Sequence, residues 1–173
     1  VQYPLHVFDK PQYSISDVYI GPVRPAWSPD GKKVIVESYG YVFGQTANSM
    51  VEFDLTDVTA PARGIVENQG IGSSYQSWAD FSPDGTKLVL AATAVSVLDL
   101  NGGIVDPILP ADSDWYTAPD WSPDGKHIVY SPIADDNRDI WVVDTFMSPV
   151  DGGREYFRTR LTDDPAEDKQ AVW

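Results

Sequence analysis

The chain has 173 residues, long enough for one domain with its own core, and it carries 12 Lys and Arg against 26 Asp and Glu, a formal net charge of −14. Nucleic-acid binding needs a basic surface, so this charge argues against it, and it argues equally against attraction to anionic membranes. Cysteine is absent, which excludes disulfides, thiolate metal sites and covalent c-type haem attachment within the chain, and no apolar run approaches the ~18 residues of a membrane helix.

The first 22 residues hold two short extended segments, Pro4–Phe8 and Ser16–Ile20. Their apolar and β-branched residues favour strands. We expect residues 1–22 to supply one or two strands of a sheet that precedes or closes the repeated part of the chain. The chain begins at Val1 without a signal-peptide pattern, so we expect a processed protein or a piece of a larger one.

One motif then recurs along the chain: an aromatic residue, Ser-Pro-Asp-Gly, two further residues and three consecutive apolar residues. Proline presets φ at the second turn position, aspartate suits the third, and glycine accepts a positive φ at the fourth, so each copy predicts a type I turn between two strands. The apolar run after each turn is typical of a strand buried on both faces. The copies span residues 27–36, 81–90 and 121–130, and residues 170–173 resemble the start of another.

Alternating or continuous apolar segments around each copy predict four strands per unit. In the first unit, residues 23–70, the strands are 23–28, 32–39, 49–55 and 62–67. In the second, residues 75–112, they are 77–81, 87–92, 95–100 and 104–109. In the third, residues 115–164, they are 118–121, 127–131, 139–144 and 156–161, and residues 165–173 supply the first strand of a further unit.

Four strands per unit, followed by a linker and the next aromatic residue, are typical of a propeller blade. The aromatic positions 27, 81, 121 and 173 are separated by 54, 40 and 52 residues, and propeller repeats of ~40–45 residues lengthen through loop insertions. We therefore predict an all-β fold with three complete blades of four antiparallel strands, plus partial blades, within a propeller of about six to eight blades. Because open blade faces are unfavourable, we expect other chains or segments to complete the ring.

The motif resembles the TolB-type β-propeller repeat, also called the PD40 or WD40-like repeat, over about residues 23–173. The third copy resembles it best, with Ile140-Trp141-Val142-Val143-Asp144 at the third strand and Arg160-Leu161-Thr162 at the end of the fourth; the first two copies lack the Leu-Thr ending. The resemblance implies a periplasmic or extracellular protein that acts as a binding scaffold or as part of an enzyme. It carries no shared catalytic residue onto these positions.

Two functional hypotheses follow from the resemblance. The first is a non-catalytic module that binds a protein partner or supports a larger assembly. The alternative is the propeller domain of a larger enzyme (a peptidase, a lyase or a multihaem redox protein) whose catalytic residues lie outside this chain. A Gly-x-Ser-x-Gly or Cys-x-x-Cys-His motif in the adjoining sequence would favour the alternative. Within the chain itself we predict neither a catalytic residue nor a cofactor site.

Binding residues concentrate in loops on rigid scaffolds, and Trp78, Trp115 and Tyr116 stand at the beginning of two units. We predict that these three residues form an exposed contact surface, with packing inside the blades as the alternative. The motif residues Trp27, Trp121 and Trp173 are predicted to lie in blade cores, because large aromatic side chains are mostly buried.

Oxygen ligands suited to calcium gather in one loop, although the spacing, the glycine and the distal glutamate of an EF-hand are missing. The candidate ligands are Asp135, Asp136, Asn137 and Asp139. An ordinary acidic hairpin loop is the alternative, and a melting temperature unchanged by a chelator would remove the calcium hypothesis.

His127 occupies the position that Lys33 and Lys87 hold in the other units. A position that accepts lysine is typical of a solvent-facing site. We therefore predict a structural role for His127 rather than a catalytic one.

Overall fold

The computed structural model of the chain describes residues 19–20, 25–39, 41–42, 45–46, 49–57, 59–60, 62–67, 78–91, 94–101, 105–109, 116–132, 138–146, 148–150, 153–163, 166, 168 and 171–173. Within these ranges every regular element is a β-strand. The strands are β1 (Tyr19–Ile20), β2 (Ala26–Trp27), β3 (Lys33–Tyr39), β4 (Tyr41–Val42), β5 (Gln45–Thr46), β6 (Ser49–Asp54), β7 (Arg63–Glu67), β8 (Trp78–Phe81), β9 (Lys87–Ala91), β10 (Val95–Asp99), β11 (Val105–Leu109), β12 (Tyr116–Trp121), β13 (His127–Pro132), β14 (Trp141–Asp144), β15 (Ser148–Val150), β16 (Gly153–Glu155) and β17 (Arg158–Arg160). None of the described segments is a helix of the length and apolarity that crossing a bilayer would take.

Three antiparallel sheets contain the main strands, and each sheet corresponds to one predicted blade. The second sheet has the order β11-β10-β9-β8, in which consecutive strands pair, and the third has the order β12-β13-β14-β17, in which the hairpin β15-β16 lies between β14 and β17 in the chain. The first sheet has the order β1-β3-β6-β7, with β2 also paired to β3. Two small hairpins, β4-β5 and β15-β16, lie in the connections of the first and third sheets. The predicted all-β fold of four-stranded blades is confirmed.

The sequence predicted that residues 1–22 supply strands of a preceding or closing blade, and the described part of that segment, β1, pairs with β3 of the first sheet. Tyr19 pairs with Tyr39 and Ile20 with Ser38, so β1 extends the innermost strand of the first sheet beyond β2. The third blade builds the same edge from the single strand β12, which pairs with β13 along its length. The other residues of the 1–22 segment lie outside the described residues.

Two apolar seams join the three sheets. Phe81, Leu88, Leu90 and Leu98 of the second blade pack against the first blade through Ala26, Ile35, Met50 and Ile65. In the second seam, Trp121, Ile128, Tyr130 and Val143 of the third blade pack against Val89, Val95, Val97 and Ile108. Because side chains alternate between the faces of a strand, β9 and β10 contribute one face to each seam. This double burial explains the continuous apolar runs in the sequence.

The motif aromatic residues pack on the preceding blade rather than within their own sheet. Trp121 is only 6% exposed because it lies in the second seam, and Phe81 is buried in the first in the same way. Trp27 and Trp173 are 59% and 54% exposed. The prediction that both lie in blade cores is therefore wrong within the described residues, which include no sheet packed against Trp27.

The Ser-Pro-Asp-Gly turns have the predicted geometry in all three copies. In the second copy the Gly85 N–H donates to Ser82 O at 2.8 Å, the Ser82 hydroxyl donates to Asp84 Oδ1 at 2.6 Å, and the Lys87 N–H donates to Ser82 Oγ at 2.9 Å. The serine hydroxyl, followed by the backbone N–H two residues beyond the aspartate, holds the pKa of each turn aspartate below its usual value. The motif aspartates are Asp30, Asp84 and Asp124, and their turn role is confirmed.

Replacing Gly85 with alanine is expected to reduce the free energy of unfolding by about 1–2 kcal/mol, because a left-handed residue with a Cβ carries that strain. Gly85 has φ +69°, and an added Cβ would meet Pro29 Cδ at an ordinary 3.5 Å, so the backbone angle alone accounts for the loss. Gly85→Asn is the matched control, because asparagine tolerates this region better. Urea unfolding should rank wild type above Gly85→Asn and Gly85→Asn above Gly85→Ala; equal losses would contradict the strain argument.

Candidate functional site

The inner strands of successive blades are linked by side-chain carboxylates that accept backbone N–H groups from the next blade. Asp80 Oδ2 accepts from the Trp121 N–H at 3.0 Å, and Asp120 Oδ2 accepts from the Trp173 N–H at 2.7 Å. Each donor is the motif aromatic residue of one blade. Each acceptor is the residue that stands directly before the motif aromatic residue of the preceding blade. The hydrogen bond therefore occurs at two successive junctions and helps to set the register of the blades there.

The backbone geometry explains why these N–H groups are available. The Ser122 N–H bonds to His127 O within the sheet, at 2.9 Å. In an antiparallel pair the adjacent residue directs its N–H away from the partner strand, so the Trp121 N–H points toward the neighbouring blade. A bulge in β12 between Thr117 and Asp120, where Ala118 has φ 49°, shifts the register just before the acceptor residue.

Asp80 and Asp120 also interact with each other across the second seam. Burial raises the pKa of Asp80 to about 7. The hydrogen bond from the Trp121 N–H lowers this pKa, whereas the hydrogen bond and the negative charge of Asp120 raise it. A carboxylic acid that holds its proton near neutral pH can donate a hydrogen bond to a neighbouring carboxylate. Protonation of Asp80 would thus add a hydrogen bond to the link between the second and third blades.

The first seam lacks this carboxylate, because Ala26 occupies the position of Asp80 and Asp120. Ala26 is buried among the apolar side chains of that seam. The two seams therefore differ in chemistry: the first is closed by apolar packing, and the second adds an ionisable pair.

The structure describes two of the three residues that were predicted to form an exposed contact surface. Tyr116 is 2% exposed and packs edge-on against Tyr130, with ring centroids 5.7 Å apart. It belongs to the second seam, so its prediction as an exposed contact residue is corrected: the inner end of β12 turns its ring into the core. Trp78 is partly buried against the same seam, and Trp115 lies outside the described residues.

Of the four predicted calcium ligands, Asp139 alone lies among the described residues. Asp139 is buried and pairs with the Arg160 guanidinium, which also contacts Asp163 Oδ1 at 2.9 Å. Asp135, Asp136 and Asn137 lie outside the described residues. Within the described parts of the chain, His, Asp and Glu side chains do not gather in threes at any place suited to a metal ion. Calcium binding stays a prediction, and Asp139, the described member of the four candidates, forms an ion pair with Arg160.

His127 lies between two carboxylates at the start of β13. Its Nε2 is 3.4 Å from Asp144 Oδ1, its Nδ1 is 3.8 Å from Asp124 Oδ1, and its ring centroid is 6.3 Å from that of Trp173. Lys33, in the same position of the first blade, forms an ion pair with Glu52 at 3.1 Å. The position thus carries a basic side chain facing acidic residues, and the structural role of His127 stays a prediction.

One exposed side chain was missed in the sequence analysis. Phe146 is 53% exposed in the turn that follows β14. The preceding residue, Thr145, donates its N–H to Lys126 O as Leu55 does to Lys32 O and Leu100 to Thr86 O, so the three turns are equivalent. The residues matching Phe146 are therefore Thr56 and Asn101, both polar and exposed. The contrast between phenylalanine and these polar residues identifies Phe146 from the sequence, but only once the turns that follow the third strand of each blade have been aligned.

A second exposed aromatic residue lies in the neighbouring segment of the third sheet, which pairs with β14. Phe157 precedes β17, its carbonyl accepts the Asp144 N–H at 2.9 Å, and its side chain is more than half exposed. We call Phe146 and Phe157 the aromatic pair. Both lie at the end of the third blade that carries the Ser122–Gly125 turn, because the Thr145 hydroxyl donates to Gly125 O at 3.0 Å.

Comparisons with known proteins agree with the fold. The chain is 30% identical over 147 residues to the uncharacterized protein Atu1656 of Agrobacterium fabrum, which covers 80% of this chain and 42% of that protein. The chain thus spans about two fifths of the length of the curated relative it matches. No protein-family model matches the chain.

Two solved structures share its architecture. TolB from Acinetobacter baumannii superposes with a TM-score of 0.59 at 20% identity, over 82% of this chain and 32% of TolB. Prolyl oligopeptidase B from Galerina marginata superposes with a TM-score of 0.52 at 15% identity, over 73% of this chain and 20% of that protein. At such identities the likeness concerns the fold alone. Together with the three sheets and their repeated seams, it shows that the chain consists of β-propeller blades.

Proposed function

We propose that this chain is part of a non-catalytic β-propeller module of the TolB-like type that binds a protein partner, in the periplasm or outside the cell. The observation that carries the proposal is the exposure of Phe146 at a turn position where the other two blades have threonine and asparagine. Blade packing does not account for the phenylalanine, because its counterparts face solvent.

The aromatic pair has the properties of a binding surface. Aromatic side chains are enriched in the energetically dominant residues of protein interfaces, because they bury a large area with few rotatable bonds. Phe146 stands on a turn fixed by the Thr145 hydrogen bonds to Lys126 O and Gly125 O, and the backbone of Phe157 is held by the Asp144 N–H, so both backbone positions are determined before binding. A preorganised turn reduces the ordering cost of association.

The charge of the chain as a whole favours a partner with basic groups, although Lys126 and Arg158 beside the pair are themselves basic and exposed. Asp124 lies in the adjoining turn with half of its side chain exposed, and the chain as a whole carries a net charge of −14. Complementary charge steers association without requiring an ion pair in the interface. We therefore propose an apolar pocket flanked by lysine or arginine as the complementary surface. Trp78, at the opposite end of the second blade, and Trp115, which lies outside the described residues, remain proposed contacts.

The proposal is tested by affinity capture from periplasmic and culture-supernatant extracts, followed by reconstitution with the purified partner. The double variant Phe146→Ser/Phe157→Ser is expected to weaken binding at least about tenfold. A tenfold change corresponds to roughly 1.4 kcal/mol, and truncation of one dominant interface aromatic residue costs more than that. Leu161→Ser is the matched control, since Leu161 is equally exposed at the other end of β17. A partner held with unchanged affinity by the double variant, or the absence of any reconstituted complex, would contradict the proposal.

The alternative function, a propeller domain attached to a catalytic domain, makes a different prediction. It requires a Gly-x-Ser-x-Gly elbow or a set of Cys-x-x-Cys-His motifs elsewhere in the complete polypeptide. The gene sequence on either side of these residues decides between the two.

A further inference from the structure

The strand β17 forms the outer edge of the third blade, and its backbone is bonded on one side. The third sheet has the order β12-β13-β14-β17, and all three residues of β17 are exposed. Two further hydrogen bonds extend the ladder with β14 beyond the ends of the strand. The Asp144 N–H donates to Phe157 O at 2.9 Å, before β17 begins. The Leu161 N–H donates to Ile140 O at 2.8 Å, after β17 ends.

The alternation of an antiparallel ladder determines which backbone groups face outward. Residues that bond to the neighbouring strand alternate with residues that direct N–H and C=O away from it. Since Phe157 and Leu161 bond to β14, Arg158 and Arg160 present their backbone groups at the outer edge. None of the described residues bonds to these two N–H and two C=O groups. An extended segment beside β17 is therefore able to exchange backbone hydrogen bonds with both arginines.

The outer edges of the other two blades are less suited to a further strand. β11 contains Pro107, which has no N–H, and its ladder with β10 includes a register shift. The ladder of β7 with β6 also shifts, between Met50 and Val51. The pairing of β17 with β14 runs without such a shift. Proline and bulges protect strand edges from pairing, so β17 alone among these three described edges has a regular ladder free of proline.

The two arginines of this edge differ in their side-chain contacts. Arg160 forms an ion pair with Asp139 and lies 2.9 Å from Asp163 Oδ1. Arg158 contacts no carboxylate among the described residues, and its guanidinium carbon lies 5.6 Å from the centroid of the Trp141 ring. Stacking on an aromatic ring holds a guanidinium group in place and leaves its N–H groups able to bond a carboxylate. The edge thus carries one positive charge that is positioned and unneutralised.

The charges of the edge argue against a second copy of the chain as the added strand. Pairing of β17 with β17 of a copy sets Arg158 and Arg160 opposite the same two arginines, and like charges directly opposite are destabilising. Charged side chains protect an edge against pairing with itself in this way. The net charge of −14 repels segments that carry many carboxylates. A segment of a different protein with a single carboxylate opposite Arg158 meets neither obstacle.

We propose that β17 binds an extended segment of a partner protein as an additional antiparallel strand, with one Asp or Glu opposite Arg158 and uncharged residues around it. Backbone hydrogen bonds to the two arginines supply affinity, and the carboxylate supplies specificity. Residues directly opposite share a face of the sheet, so the carboxylate lies on the face that carries Trp141. The inference goes beyond the proposed function and does not rest on it, because it uses the backbone of β17 rather than the side chains of the aromatic pair.

The probe is a seven-residue peptide of threonine and valine with one central glutamate, amidated at its C-terminus and labelled at its N-terminus with a rhodamine of zero net charge. Fluorescence anisotropy measures its binding to the complete natural polypeptide, and hydrogen exchange locates the bound site. We expect slower exchange of the Arg158 and Arg160 amides. A glutamine peptide should bind about two- to fivefold more weakly, the size of an exposed cross-strand ion pair. On the Arg158→Gln variant the two peptides should bind equally.

Methylated peptides test the strand geometry on the wild-type protein. A methyl group on the glutamate nitrogen points at β17 when glutamate lies opposite Arg158, so affinity should fall at least about tenfold. Methyl groups on the nitrogens of the two flanking residues point away from β17 and should change the affinity less than about twofold.

Several outcomes would overturn the proposal. They are an equal loss for both methylated peptides, an unmethylated peptide that does not bind, slowed exchange confined to residues outside 157–161, and a glutamine effect that persists in Arg158→Gln. Slow exchange of both arginine amides without peptide, together with a dimer in sedimentation, would assign the edge to a second copy and overturn it as well.

Discussion

Replacement of Trp121 by alanine is expected to lower the free energy of unfolding of the 173-residue chain by about 3–5 kcal/mol, the usual loss for a buried tryptophan. Trp121 fills the seam between the second and third blades and is 6% exposed there. Its removal deletes the largest buried side chain of that seam and leaves a cavity between two sheets, which their hydrogen-bonded strands cannot close. Because a domain is stable by only ~5–15 kcal/mol, the variant should unfold at a much lower urea concentration.

Trp27→Ala is the matched control, since Trp27 has the same place in the motif but is 59% exposed. Its expected loss in the 173-residue chain is below about 1 kcal/mol, as for most surface substitutions. Urea unfolding followed by far-ultraviolet circular dichroism measures both variants without relying on tryptophan fluorescence. Equal losses at the two positions would contradict the assignment of Trp121 to the seam.

A second variant separates apolar packing from the polar atom of the indole ring. Within the described residues the Trp121 Nε1–H is buried and has no hydrogen-bond partner. Trp121→Phe removes this donor and keeps most of the apolar area, and Phe81 shows that phenylalanine suits the position. The loss expected for Trp121→Phe is accordingly well below that for Trp121→Ala, because the smaller cavity is offset by removal of an unsatisfied donor.

Local physical rules made the strands and turns predictable from the sequence. The predicted segments 32–39, 87–92 and 127–131 correspond to β3, β9 and β13 within one or two residues. They succeeded because turn chemistry and apolar periodicity act over a few residues, and three copies reinforced each other. The same turn chemistry explains Asp54 and Asp99, which accept the N–H groups of Thr56 and Asn101.

The seams were not predictable in the same way, because they depend on contacts between residues far apart in the chain. Asp80 and Asp120 are separated by 40 positions in the sequence, and their contact arises only when two sheets stack. The exposure of Trp27 likewise depends on what covers the sheet, and its motif is the same as that of Trp121. The alternation of faces predicts that an apolar side chain is buried, but it does not state against which blade.

Asp80→Asn is expected to make the chain more resistant to alkaline pH and to change little in acid. Burial, with Asp120 beside it, raises the pKa of Asp80 to about 7 in the folded chain, against an ordinary value of 3.8. A group whose pKa is higher in the folded state stabilises that state fully below its ordinary pKa. The contribution then falls as the pH rises and is gone above about 7. Wild type should therefore lose stability between pH 4 and pH 8 on account of this group.

Asparagine retains the geometry of the link and removes its titration. Its side-chain oxygen accepts the Trp121 N–H, and its amide donates to Asp120 without a change of charge. The melting temperature of the variant relative to wild type is expected to rise on the order of 5 °C between pH 4 and pH 8, given roughly 2–4 °C per kcal/mol in a domain of this size. Differential scanning calorimetry at intervals of half a pH unit measures this difference.

Asp84→Asn provides a control of opposite sign. Hydrogen bonds from Ser82 and the Thr86 N–H hold the pKa of Asp84 below its usual value, so its contribution is present above that value and is lost as the pH falls. The Asp84 variant should therefore be weakened relative to wild type at neutral pH and approach it in acid, the reverse of the Asp80 variant. If both variants follow the same pH profile, the titration belongs to the charge of the whole acidic chain and the Asp80–Asp120 pair is not a proton-dependent link between blades.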